Sequence, residues 1–249
     1  MKRNIRLTIS YDGSRYDGWQ KQGNTANTIQ GKLEVVLERM TGVPTEVHGS
    51  GRTDAGVHAK AQEANFYTDT LMSTQEIKDY LNEYLPEDIA VNLVTEEKER
   101  FHARLSATEK EYVYRIWNSA VPNVFERKYL YRLSEPLEVE KMQKAAECFL
   151  GEHDFKSFCG NKRMKKSTVR RVFSAKVERF GEEIRITYRG NGFLYHMVRI
   201  MTGTLIEVGL GKRKPEEITD ILEKKDRQAA GYLAPPEGLC LARVFYERK

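Results

Sequence analysis

Alternating apolar and polar residues predict β-strands along most of the chain. From Arg3 to Tyr11 the residues Ile5, Leu7 and Ile9 share one face, because side chains two apart in a strand point the same way. The strand pattern ends at Asp12-Gly13-Ser14, which is typical of a turn. The same reasoning predicts further strands at 45–48, 62–68, 89–94, 110–118, 169–179, 183–188 and 239–246.

Apolar residues at helical spacing predict five helices. Thr28 is a candidate N-cap for the first, which Gly42 and Pro44 close. Ser73 and Glu76 form a capping box that begins the second. The remaining three cover 138–150, a long apolar segment that opens at 190–192 and continues to 208, and 215–224.

The order of predicted elements repeats in the two halves of the chain, although no sequence repeat accompanies it. Each half contains a strand, a helix, strands, a helix and a strand. We therefore predict an α+β fold of two subdomains, residues 1–105 and 106–249, joined in one extended sheet. A cleft between two such subdomains would accept a large ligand.

Composition places the chain among globular proteins. Of its 249 residues, 40% are hydrophobic and 31% are charged, a balance that excludes a disordered chain. No apolar run approaches the roughly 20 residues of a membrane helix. The start leads directly into a strand pattern, without a signal-peptide core, and the three cysteines form no C-x-x-C pair. These features predict a cytoplasmic protein with reduced thiols and no membrane association.

The sequence offers no motif for a cofactor. The five histidines form no H-E-x-x-H, which argues against a zinc site. Neither the phosphate-binding G-x-x-x-x-G-K-[ST] nor the dinucleotide-binding G-x-G-x-x-G is present. We therefore expect no metal and no bound nucleotide.

Positive charge is concentrated in one segment. The net charge of +5 is modest, but six basic residues fall within ten positions. Such a cluster can bind a polyanion or can form a solvated loop beside a strand edge, and the pattern does not choose between them. The cluster consists of Lys162, Arg163, Lys165, Lys166, Arg170 and Arg171, and Arg15 and Lys110 lie beside aromatic segments elsewhere.

The segment Gly51 to Ala59, Gly-Arg-Thr-Asp-Ala-Gly-Val-His-Ala, holds the principal candidate chemistry. Asp54 lies two residues from Arg52, and Thr53 separates them. Taken alone, Thr-Asp-Ala-Gly is typical of a surface turn in which the aspartate bonds its own backbone. The other interpretation is a carboxylate held on a turn for catalysis.

Arg199 is anomalous within the long apolar helix. A guanidinium buried there without a partner would be very costly. It either extends to water along its stem or meets a carboxylate from elsewhere, for which Asp54 is the strongest candidate. An arginine partner would keep that carboxylate ionised at neutral pH.

Two tyrosines, Tyr112 and Tyr114, share one face of a predicted strand. We expect Tyr114 to pack in the core. Tyr112 is a candidate to stack on a nucleobase, an interaction worth roughly 1–3 kcal/mol.

Taken together, these segments resemble the tRNA pseudouridine synthase A (TruA) family. The segment 51–59 resembles the catalytic signature of that family. Six other matching segments follow in family order across nearly the whole chain: 11–14 with 18–20, 85–89, 101–107, 110–114, 154–158 and 191–199.

The resemblance implies a fold and a function. The fold would be the pseudouridine-synthase fold, with two ferredoxin-like α+β subdomains sharing an extended mixed or antiparallel sheet. The activity would be isomerisation of uridine to pseudouridine at positions 38, 39 and 40 of the tRNA anticodon arm. The family works as a homodimer, so we expect tRNA and a second copy as partners.

The resemblance also implies residue roles. Asp54 would be the catalytic aspartate, Arg199 its ion-pair partner, and Arg52 the residue that extrudes the target nucleotide. Tyr112 would stack on the uracil. Three further residues in or beside the matching segments are predicted to bind substrate: Gln62, Leu194 and His196. The basic residues predicted to bind RNA are Arg15, Lys110, Lys162, Arg163, Lys165, Lys166 and Arg170.

The reaction suits this residue set. It breaks the C1′–N1 bond, turns the freed uracil and joins C5 to C1′, so it needs neither a redox carrier nor a phosphate donor. Asp54 would attack C1′ or remove the 2′ proton, and the sequence leaves both open. The target base must leave its stack, at a cost of a few kcal/mol.

Three alternatives remain open from the sequence. Residues 60–64, Lys-Ala-Gln-Glu-Ala, depart from the usual family pattern, so the chain can be a diverged copy acting on another RNA such as rRNA. It can be a non-catalytic RNA-binding module. A glycosidase is the third, although such enzymes usually need two carboxyl groups and Glu63 is the one further acid near Asp54.

Overall fold

The computed structural model describes residues 2–161 and 163–246. The chain divides into two compact units. The first unit comprises the residues up to Thr108 together with those from Cys240 onward, and the second is Glu109–Leu239. The predicted boundary at 105/106 falls close to this division. The predicted second subdomain, 106–249, nevertheless loses its last segment to the first unit, because Cys240 and Leu241 pair in parallel with His58 and Ala59.

Ten strands and five α-helices form within the described residues. The strands are β1 Arg3–Tyr11, β2 His48–Gly49, β3 His58–Thr68, β4 Ile89–Glu97, β5 Ala107–Trp117, β6 Tyr131–Arg132, β7 Gly151–Asp154, β8 Val169–Phe180, β9 Glu183–Gly190 and β10 Leu239–Tyr246. The helices are α1 Ile29–Thr41, α2 Thr74–Tyr84, α3 Val139–Glu147, α4 Met197–Gly209 and α5 Glu217–Lys224. The predicted α+β class is confirmed.

The first unit is built on the strand order β4-β1-β3-β10. Strand β1 runs antiparallel to both β3 and β4, with Ile5 opposite Phe66 and Leu7 opposite Val94. Ile5 and Leu7 are fully buried, as their alternation predicted. The short β2 pairs with β3 and leads into the loop that carries Asp54.

The predicted helix signals of the first unit are confirmed. The Oγ1 atom of Thr28 accepts the N–H of Gly31, and Gly42 closes α1 in the left-handed conformation with φ 74°. Ser73 and Glu76 form the reciprocal capping box of α2. These caps satisfy N–H groups that the helix itself cannot bond.

The second unit contains the antiparallel order β5-β9-β8-β7, with β6 parallel to β5 at its other side. Gly181, with φ 60°, turns the chain between β8 and β9. Helix α3 packs against β8 and α4. The strands β6 and β7 were not predicted, because two to four residues are too few for a visible alternation.

The predicted opening of the long helix at Gly190-Asn191-Gly192 is wrong. Strand β9 continues to Gly190, and α4 begins only at Met197. A Cβ atom at Gly190 would lie 2.8 Å from the carbonyl oxygen of Arg171, so this glycine serves close strand packing. Leu194, predicted to lie on the helix, therefore precedes it.

Within 2–161 and 163–246, no helix combines the length and apolar character needed to cross a membrane.

Candidate active site

Asp54 lies on a loop, residues 50–57, that joins β2 to β3 and is called the Asp54 loop below. Ser50 ties its start to β3, because its N–H donates to the Glu63 carbonyl at 2.7 Å and its Oγ donates to Gln62 Oε1 at 2.7 Å. Gln62 in turn donates through Nε2 to the Gly51 carbonyl at 2.9 Å. The first residues of the loop are thus held by side chains from the neighbouring strand.

Thr53, the residue before Asp54, is held by hydrogen bonds to the segment 11–20. The hydroxyl of Tyr11 and Thr53 Oγ1 lie 2.8 Å apart, and both side chains are buried. The Thr53 carbonyl accepts the Trp19 N–H at 3.1 Å. Gly18 has φ 93°, and a Cβ there would lie 2.7 Å from the Thr53 carbonyl oxygen. Glycine is therefore required for the 11–20 segment to reach the loop so closely.

The far end of the loop packs equally closely on the same segment. The Gly13 N–H donates to His58 Nδ1 at 3.1 Å, and Asp12 Oδ1 lies 3.2 Å from that nitrogen. A Cβ at Gly13 would lie 2.0 Å from the Val57 carbonyl oxygen, so only glycine fits.

Asp54 itself is half-buried at the tip of this framework. Its carbonyl accepts the Val57 N–H at 3.2 Å, and Gly56 takes φ 77°. The turn predicted from Thr-Asp-Ala-Gly is therefore present. A carboxylate on a turn braced at both ends has a fixed position, which a nucleophile or general base requires.

Arg52 extends from the same loop into solvent and is held by one amide. Its Nε donates to Gln20 Oε1 at 2.9 Å. Gln20 Nε2 donates to Gln30 Oε1 at 2.7 Å, and Gln30 Nε2 donates to Glu34 Oε1 at 2.9 Å. This chain of amides fixes which end of Gln20 faces Arg52.

Glu63, the candidate second acid, is not available for catalysis. It is 4% exposed, accepts from Arg6 Nε at 2.7 Å and from Thr8 Oγ1 at 2.8 Å, and lies on β3. Burial raises the pKa of this carboxyl, although the bond from Arg6 opposes that effect. Glu63 therefore does not supply the second carboxyl group that a glycosidase usually needs.

The two tyrosines of β5 are both buried. Tyr114 is fully buried and donates its hydroxyl proton to the Pro235 carbonyl at 2.8 Å, which confirms its core position. Tyr112 is 7% exposed and meets the Phe193 ring edge-on, with centroids 5.3 Å apart. Its stacking on a base stays a prediction.

Arg199 is buried on the first turn of α4, with 8% of its surface exposed. Its Nε donates to the Ala234 carbonyl at 2.7 Å, and its own carbonyl accepts the Ala234 N–H at 3.2 Å. The alternative that this side chain extends to water is therefore wrong. Its pairing with Asp54 stays a prediction.

The remaining predicted substrate contacts differ in exposure. Gln62 is fully buried and both ends of its amide bond the Asp54 loop, which gives it a positioning role. Leu194 is 6% exposed, and its N–H donates to the thioether Sδ of Met197 at 3.5 Å. His196 is half-buried, takes φ 63° and stacks on Tyr195 with centroids 3.6 Å apart.

The predicted RNA-binding residues are mostly at the surface. Arg163, Lys165 and Lys166 are exposed, and Lys110 is half-buried on β5. Arg170 is half-buried and donates to the carbonyls of Ser167 and Val169, and burial lowers the pKa of its guanidinium.

Arg15 is exposed but pairs with Asp88 at 2.5 Å. Lys162 lies outside the described residues, and no contact is assigned to it.

Sequence reasoning missed the residues that hold the loop. Tyr11, Gln20 and His58 all lie in segments that resemble the family, yet no sequence pattern connects Tyr11 with Thr53, 42 residues later. The available signal was the position of Tyr11 at the end of β1 and of His58 at the start of β3, and Gln20 lies outside any strand.

Within the described residues, no three His, Cys, Asp or Glu side chains are grouped to hold a metal ion.

Comparison with known proteins gives consistent matches over nearly the whole chain. A family model described as tRNA pseudouridine synthase matches residues 7–105 and 145–247. The chain is 48% identical to a tRNA pseudouridine synthase A of Bacillus sp. (strain KSM-64) over 243 residues, which is 98% of this chain and 99% of the relative. It is 46% identical to tRNA pseudouridine synthase A 2 of Clostridium perfringens (strain 13 / Type A), over 98% of this chain and all of the relative.

Proposed function

The chain belongs to the tRNA pseudouridine synthase family, and from that premise we propose that it isomerises uridine to pseudouridine in tRNA with Asp54 as its catalytic carboxylate. The observation that carries the assignment of Asp54 is the braced loop. Hydrogen bonds from Tyr11, Trp19 and Gln62 hold the residues around it. Such bracing is needed where a carboxylate must meet a sugar carbon in one geometry.

The reaction needs one ionised carboxylate and a site for a detached base. The C1′–N1 bond breaks, the uracil turns, C5 joins C1′, and the proton lost from C5 is balanced by one gained at N1. Asp54 supplies the carboxylate, either as nucleophile at C1′ or as base at the 2′ position. Substrate and product are isomers, so electrons and atoms balance without a co-reactant.

Arg52 is proposed to help extrude the target nucleotide. Its side chain is exposed and next but one to Asp54, so it can enter the space that the base leaves. Extrusion costs a few kcal/mol, and contacts from an arginine to phosphate offset part of that cost. Tyr112, which lies edge-on to Phe193, is proposed to stack on the extruded uracil because segment 110–114 resembles the family.

The target is proposed to be uridines 38, 39 and 40 of the anticodon arm, and the protein is proposed to act as a homodimer in the cytoplasm. The matching segments of the sequence carry these expectations. None of Cys148, Cys159 and Cys240 forms a disulfide within the part of the chain that the structure describes.

The experiment that tests the function is the exchange of one carboxylate for an amide. Asp54→Asn should bind tRNA as the unaltered protein does and form no pseudouridine, measured by chemical mapping of tRNA transcripts. Asp79→Asn makes the same exchange at an exposed position of α2 and should leave turnover unchanged. Normal turnover by Asp54→Asn would overturn the assignment.

A further inference from the structure

An apolar tip protrudes from the second unit between β5 and β6. Within residues 119–130, called the tip loop below, Phe125 is 93% exposed, Val121 is 70% exposed and Val124 is 54% exposed. Leaving three apolar side chains in water forfeits the stabilisation that burial would give. Three exposed apolar side chains within five residues of one loop make it a candidate interaction site.

The tip loop is anchored to the sheet by charge. Glu126 accepts two hydrogen bonds from the Arg115 guanidinium at 3.1 Å. Arg115 is itself fixed on β5 by Glu183, with bonds of 2.7 and 2.8 Å. Bidentate contacts on both sides of one guanidinium give the loop a defined position.

Hydrogen bonds within the loop fix its shape as well. Trp117 Nε1 donates to the Val121 carbonyl at 2.6 Å, and the Arg127 guanidinium donates to the Val124 carbonyl at 2.6 Å. The Glu126 N–H donates to Asn123 Oδ1 at 3.1 Å. Phe125 therefore faces solvent from an ordered loop, and a partner would not have to order it on binding.

The charge at the tip favours an anionic partner. Arg127 and Lys128 lie two and three residues after Phe125 and are exposed. Glu126 is the one acidic residue of segment 119–130, and its carboxylate is already bonded to Arg115. The tip thus offers an aromatic face beside two cations, the combination with which proteins stack on bases while contacting phosphates.

We propose that the tip loop is an RNA-contact surface, with Phe125 stacking on an exposed base and Arg127 and Lys128 contacting the adjacent phosphates. The proposal rests on the proposed function, since tRNA is the RNA concerned. It adds a contact that lies outside the segments matched by the family model, 7–105 and 145–247. None of the sequence patterns that predicted the active site includes it.

Binding of unmodified tRNA transcript, measured at several salt concentrations, tests the proposal. Phe125→Ala should weaken binding about fivefold or more, with an unchanged dependence on salt, because stacking releases no counterions. Lys128→Ala should weaken binding and lower the slope of log Kd against log salt by about 0.7–0.9. Phe125→Trp should restore the affinity.

The matched control is Leu71→Ala, which removes a 98% exposed apolar side chain from the first unit and should leave binding unchanged. Phe125 is so exposed that its removal should not lower thermal stability. Unchanged tRNA affinity in Phe125→Ala would overturn the proposal. So would a change in sedimentation of the RNA-free variant at unchanged affinity, which would assign the tip to self-association.

Failure of the proposal can be told from failure of the proposed function. If the unaltered protein forms pseudouridine in the same transcript while Phe125→Ala binds it normally, only the tip-loop contact is refuted. If the unaltered protein forms none, the proposed function itself fails.

Discussion

The hydroxyl of Tyr11 lies 2.8 Å from Thr53 Oγ1 and joins the end of β1 to the residue that precedes Asp54. Both groups are buried, and burial raises the pKa of the Tyr11 phenol well above its ordinary value, so it stays protonated. A buried hydrogen bond of this kind restricts Thr53 and so helps to set the position of Asp54, the next residue. Its position beneath the Asp54 loop makes it a positioning contact.

Removing the Tyr11 hydroxyl should therefore impair turnover more than folding. We expect Tyr11→Phe to lower the free energy of unfolding by about 1 kcal/mol and kcat by about tenfold, with KM nearly unchanged, because misplacing a reacting group by a fraction of an ångström is costly. Urea denaturation and steady-state pseudouridine formation measure the two effects. Ser157→Ala, which removes a buried hydroxyl bonded to the Ile221 carbonyl, should destabilise similarly and spare kcat. Equal kcat losses in both variants would contradict a positioning role.

Gln20 should act through Arg52. Since Gln20 Nε2 is committed to Gln30, its oxygen faces Arg52 Nε. We expect Gln20→Ala to lower kcat by about threefold to tenfold, the value of one hydrogen bond, on tRNA whose target uridine is stacked in the stem. The loss should shrink on a transcript in which a mismatch already loosens that uridine.

Gln22→Ala is the control for Gln20, because it removes the same side chain two residues later, where it bonds the Asp17 carbonyl. Its turnover should match that of the unaltered protein on both transcripts. An identical loss for Gln20→Ala on stacked and loosened uridines would show that Gln20 does not assist extrusion.

Arg199 should be required for activity although it is not exposed. Arg199→Leu should remain folded at 25 °C and lose pseudouridine formation, because the predicted partner of Asp54 is then gone. Under that prediction the double variant Asp54→Asn with Arg199→Leu loses no more activity than Asp54→Asn alone. Arg227→Leu, which also removes an arginine bonded to backbone carbonyls, should keep activity. Full turnover by Arg199→Leu would refute its predicted role as the partner of Asp54.

Protonation of Glu183 in acid should lower the stability of the folded protein. The Arg115 guanidinium holds the pKa of Glu183 at about 2, against an ordinary value of 4.5, and Arg185 adds to the effect while burial opposes it. A carboxyl whose pKa is depressed by folding stabilises the protein above its unfolded pKa, and that contribution is lost as pH falls from about 4.5 towards 2.

Glu183→Gln tests this directly. At pH 7 it should lower the free energy of unfolding by about 1–2 kcal/mol, allowing for screening by solvent, and the difference from the unaltered protein should vanish as pH approaches 2. Urea midpoints at pH 7, 4 and 3 measure it. Glu138→Gln, at an exposed pair with Lys141, should show little effect at any pH. A difference that stays constant with pH would refute the assignment to ionisation.

Local signals were read from the sequence with good accuracy. The alternation of 239–246 marks β10 from its first residue to its last, and Thr28, Ser73 and Gly42 begin or end helices where predicted. These features depend on side-chain period, caps and backbone conformation, all of which act over a few residues. The opening of α4 was misplaced because the glycine at 190 serves a strand contact with Arg171 that lies 19 residues away.

The sequence by itself determined the α+β class, most element positions, the family and the candidate carboxylate, because periodicity and motif spacing depend only on residues close together in the chain. Only the tertiary structure showed that Tyr11 bonds Thr53 and that buried Gln62 bonds the Asp54 loop. It also showed that Glu63 is paired with Arg6 and that Phe125 is exposed to solvent. These facts depend on which distant side chains pack together, and no short-range pattern encodes a contact whose partners are tens of residues apart.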